Sequence, residues 1–118
     1  MNLSGKVAIV SGAAQGLGRA FAMRLENEGC KVLGFDVKKE VLEVPGITSM
    51  IADVSKREDV ERIVSEATSM GEIAVLVNNA GTWRKTPVDS PWEQALEDWD
   101  FIMDTNLKGV MMLSRAVV

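Results

Sequence analysis

The run Val7-Ala8-Ile9-Val10 leads directly into Ser11-Gly12-Ala13-Ala14-Gln15-Gly16-Leu17-Gly18. Four apolar residues without alternation read as a buried strand, and the spaced apolar residues after Gly16 read as a helix. The chain must turn from one to the other within a few residues, at the glycines. No other feature constrains the fold as much. A strand that is apolar throughout needs a covering layer on each face, which is the situation of a parallel sheet between helices. A turn without Cβ atoms also lets a ligand approach the backbone closely. The helix start that follows offers free N–H groups and the positive end of a dipole, so the turn is able to hold a pyrophosphate. Taken alone, the pattern is equally that of a tight strand-to-helix turn.

Strand and helix signals alternate along the chain. Lys6 to Val10 is the first expected strand. Leu17, Ala20, Phe21, Leu25 and Glu28 recur at helical spacing, with Gly29 as the stop. Lys31 to Asp36 is a second strand, Pro45-Gly46 a turn, and Ile47 to Ile51 a short third strand. Ser55 with Glu58 has the pattern of a capping box, opening a helix with Val60, Ile63, Val64 and Ala67 on its apolar face and Gly71 at its end. Ile73 to Val77 is a fourth strand. Thr82 to Glu93 reads as a loop holding Pro87, Pro91 and two tryptophans. A last helix is expected from near Glu97, with Trp99, Ile102, Met103, Val110 and Leu113 on one side and Asn106 on that same side. Ser114 to Val118 keeps the apolar pattern running without a glycine stop, as expected of a domain that has been cut.

The length of 118 residues fits one domain. A formal net charge of -4 leaves no electrostatic footprint for nucleic acid. Lys38-Lys39 and Arg84-Lys85 are isolated pairs and read as solvated surface charges. The single cysteine, Cys30, excludes an internal disulfide and reads as a small buried hydrophobe. With no histidine in the chain, nothing is present to activate it as a nucleophile. No segment has the pattern of a signal peptide or the length of a membrane span. A cytoplasmic setting, no membrane and no metal site are expected.

Several polar residues stand where strands end. Asp36 follows the glycine turn by about 20 residues, at the end of the second strand. A carboxylate there accepts hydrogen bonds from both ribose hydroxyls of an adenosine and repels a 2′-phosphate, though a strand-end turn residue is the plainer alternative. Asp53 is suited to accept from the exocyclic amine of an adenine while the Val54 N–H donates to the ring; it is equally an acid at the start of a helix. Asn78 and Asn79 offer amides at the end of a parallel strand, in the crevice where open α/β sheets bind ligands, and Gly81 lets the backbone turn away. A simple turn is the alternative. Asn106 is polar on an apolar helix face, where an unpaired amide is costly. A core asparagine with its partners satisfied would look the same.

The spacing Gly12-x3-Gly16-x-Gly18 resembles the first turn of the short-chain dehydrogenase/reductase family, which reads Thr or Ser-Gly-x-x-x-Gly-x-Gly. Asp53-Val54, Asn78-Asn79-Ala80-Gly81, and Trp99-Asp100 followed by Asn106-Leu107 and Gly109 follow in the family's order. The resemblance covers essentially the whole chain. It implies a Rossmann-type doubly wound parallel sheet, truncated after the fourth strand and its following helix. It implies NAD-dependent hydride transfer between an alcohol and a ketone in the complete enzyme. Cofactor contacts are implied at Gly12, Gln15, Gly16, Leu17, Gly18, Asp36, Asp53, Val54, Asn79, Ala80 and Gly81. Residues 79–81 would flank the nicotinamide-side ribose. Asn106 would bend the last helix and hold a water in the proton relay.

Asp36 favours NAD over NADP. Gln15 is neutral where NADP-preferring members often carry a basic residue, while Lys38 and Lys39 lie nearby but slightly late. The family's serine and its Tyr-x-x-x-Lys have no counterpart, since the chain contains no tyrosine and Ser114 comes too early. The chain alone is expected to be inactive. A small-molecule alcohol or ketone substrate and a homo-oligomer are expected of the complete enzyme. In this family the fourth strand lies between the first and a fifth, so Ile73 to Val77 is expected to have an unpaired edge, with marginal stability or a partner as the result. Two other readings stay open. One is a short protein that binds a nucleotide without catalysis, as a regulatory or interaction module. The other is one half of a split enzyme.

Overall fold

Every residue of β1 (Val7–Ser11) is buried in the computed structural model, which describes residues 2–118. Its side chains alternate between two separate apolar layers, as the period of a strand requires. Val7 and Ile9 join Leu33 and Phe35 of β2 (Lys31–Asp36) against Val60, Ile63 and Ala67 of α2 (Arg57–Met70) and Leu113 of α4 (Gly109–Val117). Ala8 and Val10 join Val32 on the opposite face, against Ala22 of α1 (Gly16–Asn27), Ala13 and Ala14. Cys30 belongs to this second layer as a buried apolar group. β3 (Thr48–Ile51) and β4 (Ile73–Val77) complete a sheet of order β3-β2-β1-β4, with every pairing parallel. This is the Rossmann-type doubly wound arrangement, with helices on both faces. Each parallel step needs a crossover: α1 supplies it between β1 and β2, a segment with a 3-10 turn at Lys39–Glu43 between β2 and β3, and α2 on the way from β3 to β4. Among the described residues β4 pairs only with β1, so it is an edge strand and its residues are half-buried or exposed.

The elements differ from the sequence expectation in ways that have local causes. β1 extends to Ser11, which brings that hydroxyl into the core. β3 starts at Thr48, and Ile47 packs against the layer on the α1 side instead. The expected capping box of Ser55 and Glu58 does not form. Lys56 stands at the N-cap of α2 without a side-chain cap. Both the N–H and the O–H of Ser55 donate to Asp53 Oδ1, at 2.9 and 2.7 Å. An ionised carboxylate two residues away is the stronger acceptor for that hydroxyl than a helix N–H is a donor to it. Asp59 does the reaching back: its Oδ2 accepts the Asp53 N–H at 2.7 Å.

The last helix begins at Trp92, not near Glu97. α3 (Trp92–Met103) opens from Pro91, whose fixed φ suits a helix start and whose carbonyl accepts the Ala95 N–H at 3.1 Å. A π-helical turn, Asp104–Lys108, joins α3 to α4 without interrupting the helical backbone. Trp99 does not share the buried side. It is 62% exposed, because α3 turns the adjacent Asp98 inward and neighbouring residues on a helix point about 100° apart. Asn106 is exposed as well, for a reason that lies in the site.

Leu113 is fully buried and ties α4 to the sheet. Leu113→Ala is expected to lower the unfolding free energy by about 2–5 kcal/mol, read from the shift in the urea midpoint. A loss below about 1 kcal/mol would mean that α4 does not pack on the sheet in solution.

Candidate functional site

The carboxyl ends of the four strands open into one cleft of about 700 Å³, a volume typical of small-molecule sites. Its floor is the glycine turn, with Gly12, Gln15 and Gly16. Residues 35–38 at the end of β2, residues 52–54 after β3 and residues 79–83 after β4 form its walls, with Phe101 and Thr105 closing it from the last helix. The cleft lies at the point where the chain leaves β1 for β2 on one side while β4 lies on the other, the place where open α/β sheets bind ligands.

Ser11 builds the floor. Its buried Oγ accepts the backbone N–H groups of Asn79 at 2.9 Å and Ala80 at 2.8 Å, and donates to the Val77 carbonyl at 3.3 Å. The Asn79 side chain donates through Nδ2 to the Gly12 carbonyl at 3.3 Å. Gly12 has φ 66°, a left-handed conformation, and a Cβ there would come within 3.0 Å of the Ala80 backbone. At Gly18 a Cβ would sit 1.9 Å from the Gly12 carbonyl oxygen. α1 therefore rests directly on the turn, and only glycine permits that distance. Gly18 is buried beneath the floor rather than lining the cleft, and Leu17 is 69% exposed beside it.

The start of α1 is left open for an anion. Gln15 occupies the N-cap without a side-chain cap, and the first turn holds no acid. A Cβ on Gly16 would meet no protein atom within 4 Å, so it would project into open space beside the cleft floor that Gly16 lines. Asp36 braces the same turn. Its Oδ2 accepts the Ala14 N–H at 3.0 Å and its Oδ1 accepts the Lys38 N–H at 3.1 Å. Each oxygen keeps a further lone pair for a hydroxyl. Asp53 spends Oδ1 on Ser55, which leaves Oδ2 for an incoming donor. Val54 is buried in the wall beside it, and Gly109 of α4 packs behind it so closely that a Cβ would fall 2.7 Å from Val54 Cγ1.

Asn106 sits in the π turn and does not line the cleft. The expectation of an apolar, buried setting fails, because the amide is matched to a backbone instead. Oδ1 accepts the Thr82 N–H at 2.8 Å and Nδ2 donates to the Thr82 carbonyl at 2.9 Å. Asn78 turns outward from the end of β4, its Nδ2 donating to Ser114 Oγ at 3.2 Å. Two features escaped the sequence reading. One is the role of Ser11, whose only sequence signal is a hydroxyl at the end of an apolar strand. The other is Asp98, buried on α3, which accepts from Thr86 Oγ1, Gln94 Nε2 and Arg84 NH1 at 2.7, 2.9 and 3.4 Å. The Thr86 hydrogen bond, with those from Gln94 and Arg84, holds its carboxyl below the ordinary carboxylate range although burial pushes it up. A lowered folded value means that this contribution to stability is present at neutral pH and lost as the pH falls through the lowered range.

The fold and the cleft define a Rossmann-type α/β protein. A sequence model of the short chain dehydrogenase family matches residues 6–118, and the chain belongs to that family. It is 35% identical to a 3-oxoacyl-(acyl-carrier-protein) reductase of Thermotoga maritima, with 100% of this chain and 51% of that protein covered. It is 32% identical to the 2-dehydro-3-deoxy-D-gluconate 5-dehydrogenase of Escherichia coli, covering 98% and 47%. Among solved structures, a 3-ketoacyl-(acyl-carrier-protein) reductase from Brucella melitensis complexed with NADH superposes with a TM-score of 0.86 at 33% identity, over 98% of this chain and 50% of that one. A short chain dehydrogenase/reductase from Burkholderia phymatum in complex with NAD gives 0.84 at 30% identity, over 98% and 44%. The chain thus spans about half the length of these relatives.

Ser11→Ala removes the acceptor of the Ala80 N–H and one of the two acceptors of the Asn79 N–H, which also reaches the Val77 carbonyl at 3.1 Å. It is expected to lower the unfolding free energy by about 1–3 kcal/mol, the cost of one orphaned group. Ser11→Thr, which keeps the hydroxyl, is expected to retain most of the stability in the same denaturation experiment. Equal losses for both variants would show that packing, not the hydroxyl, matters at this position.

Proposed function

We propose that residues 1–118 form the dinucleotide-binding part of an NAD-dependent short-chain dehydrogenase that interconverts a small-molecule alcohol and ketone. The convergence of the glycine turn, Asp36 and Asp53 on one cleft carries this reading. The structures bound to NADH and NAD that this chain resembles support it. The donor set fits the cofactor. The open start of α1 and the backbone of Gly12 and Gly16 receive the pyrophosphate. Asp36 accepts the adenosine ribose hydroxyls, and Asp53 Oδ2 with the Val54 N–H takes the adenine. Residues 79–81 flank the second ribose. Leu17 and Gly18 shape the turn from beside and beneath. When bound, the nicotinamide supplies the hydride or accepts it.

On this reading Asn106 is the relay residue among the 118, and Oδ1 keeps a second lone pair with which to hold the relay water. The chain contains neither tyrosine nor histidine, so the acid/base group comes from residues outside these 118, in the same chain or in a second one. Without it these residues bind cofactor and do not turn over. No described helix is long and apolar enough to cross a membrane. A homo-oligomer is supported by exposed apolar residues at helical spacing along α3, the π turn and α4. Trp92, Leu96, Trp99, Leu107 and Met111 are 80, 58, 62, 66 and 53% exposed, and such a series differs from apolar residues scattered singly.

Calorimetric titration is expected to show NADH binding at least about tenfold tighter than NADPH. Asp36→Asn, which removes the charge but keeps an acceptor for Ala14, is expected to narrow that ratio. Equal or tighter NADPH binding by the unaltered protein would refute the role given to Asp36; Lys38, which also lines the cleft, would then be the residue to replace. Trp99→Glu is expected to shift sedimentation of the protein toward the monomer.

A further inference from the structure

Residues 82–86 leave the end of β4 and have no regular structure of their own, yet side chains tie them down at both ends. Asn106 holds both backbone groups of Thr82. At the other end Asp98, 4% exposed, takes the Thr86 hydroxyl and the Arg84 guanidinium. Arg84 is held further. Its Cζ lies 3.6 Å from the centroid of the Phe101 ring, and Glu97 Oε1 is 3.8 Å from NH1. A buried carboxylate with three donors and a stacked guanidinium are unusual effort for an exposed connection, which is mobile by default. The residue between the two ties is Trp83. It is 76% exposed and forms part of the cleft wall.

Strand order says which part of the cleft this is. Asp53 follows β3, Asp36 ends β2, Gly12 follows β1, and Trp83 lies beyond β4. A dinucleotide with its adenosine at Asp53 and Asp36 and its pyrophosphate at Gly12 carries its other half toward β4. This step rests on the dinucleotide reading above. We infer that Trp83 covers the nicotinamide half of the bound cofactor, and that Arg84 and Asp98 are positioning residues that keep it there. A flat indole matches a flat pyridine ring, and the positive charge of the oxidised ring adds a cation–π attraction. ADP-ribose has the same adenosine, pyrophosphate and second ribose but no nicotinamide, so it offers Trp83 no ring.

The test is calorimetric titration of the protein with NAD and, separately, with ADP-ribose. Trp83→Ala and Asp98→Asn are each expected to weaken NAD by about five- to tenfold and to leave ADP-ribose within about twofold. Trp83 is exposed, so its replacement leaves the core intact and the idea stays testable even if Asp98→Asn folds poorly. Arg84→Lys keeps the charge but not the planar stack, and is expected to fall between. Variants that bind NAD as the unaltered protein does would overturn the inference. So would equal losses for both ligands, which would make Asp98 a structural anchor alone. An unaltered protein that binds neither ligand overturns the dinucleotide reading together with this one, whereas normal binding of both ligands by Trp83→Ala overturns only this one.

Discussion

One hydroxyl holds the floor of the cleft together. Ser11 joins the end of β1 to the end of β4 across 68 residues of sequence, by accepting two consecutive backbone N–H groups. Those groups lie where β4 has just ended and have no ladder partner; the Asn79 N–H also reaches the Val77 carbonyl at 3.1 Å, while that of Ala80 relies on Ser11. The rest of the floor depends on this bond. With residues 79–80 fixed, the Asn79 amide reaches the Gly12 carbonyl, and the Gly12 carbonyl in turn sets how near α1 can lie through Gly18. Strand, turn and helix are thus positioned by polar contacts among small residues rather than by interlocking large ones.

The acidic residues divide their work in a related way. Asp36, Asp53 and Asp59 each accept a backbone N–H at or beside a turn, and Asp59 also pairs through its other oxygen with Arg62 at 3.4 Å. A carboxylate has about four acceptor positions, and a backbone N–H occupies one. Asp36 and Asp53 can therefore stiffen a loop and still present oxygen to a ligand. The reading of Asp36 as a strand-end turn residue is met by its bonds to Ala14 and Lys38, and the same two oxygens keep acceptor positions for a ligand. Asp98 is different: its donors come from three protein side chains, so its role is to hold neighbouring protein in place.

Much of this was legible in the chain. The apolar run before Ser11, the spacing of Gly12, Gly16 and Gly18, and the distance to Asp36 are local patterns, and they placed the sheet and the cleft floor. Asp53, Val54 and residues 79–81 were placed at strand ends, and they line the cleft as expected. What was missed depends on partners remote in sequence or on competition between near neighbours. Ser11 needed the register of the β4 end against β1, which sets the Asn79 and Ala80 N–H groups at its hydroxyl; strand order alone does not give that. The capping box of Ser55 and Glu58 was displaced because Asp53, two residues back, outcompetes a helix N–H for the Ser55 hydroxyl. Asn106 fitted an apolar helix face only while that helix was assumed to be α throughout and to start near Glu97. The π turn and the contact with Thr82 give it a polar setting instead.

The close contact of Gly109 with Val54 has a thermodynamic consequence. The wall at the Asp53 end of the cleft is braced from behind by a helix, at a distance that would not admit a single additional carbon. The floor is braced likewise by α1 at Gly18. The spacing between these walls is set by helix-on-sheet packing and not by loops that adjust. A ligand entering there finds the shape already made, and little ordering entropy opposes its binding at that end. The opposite end is built from residues 81–83, held by side-chain ties alone, and there the same ligand has more to organise.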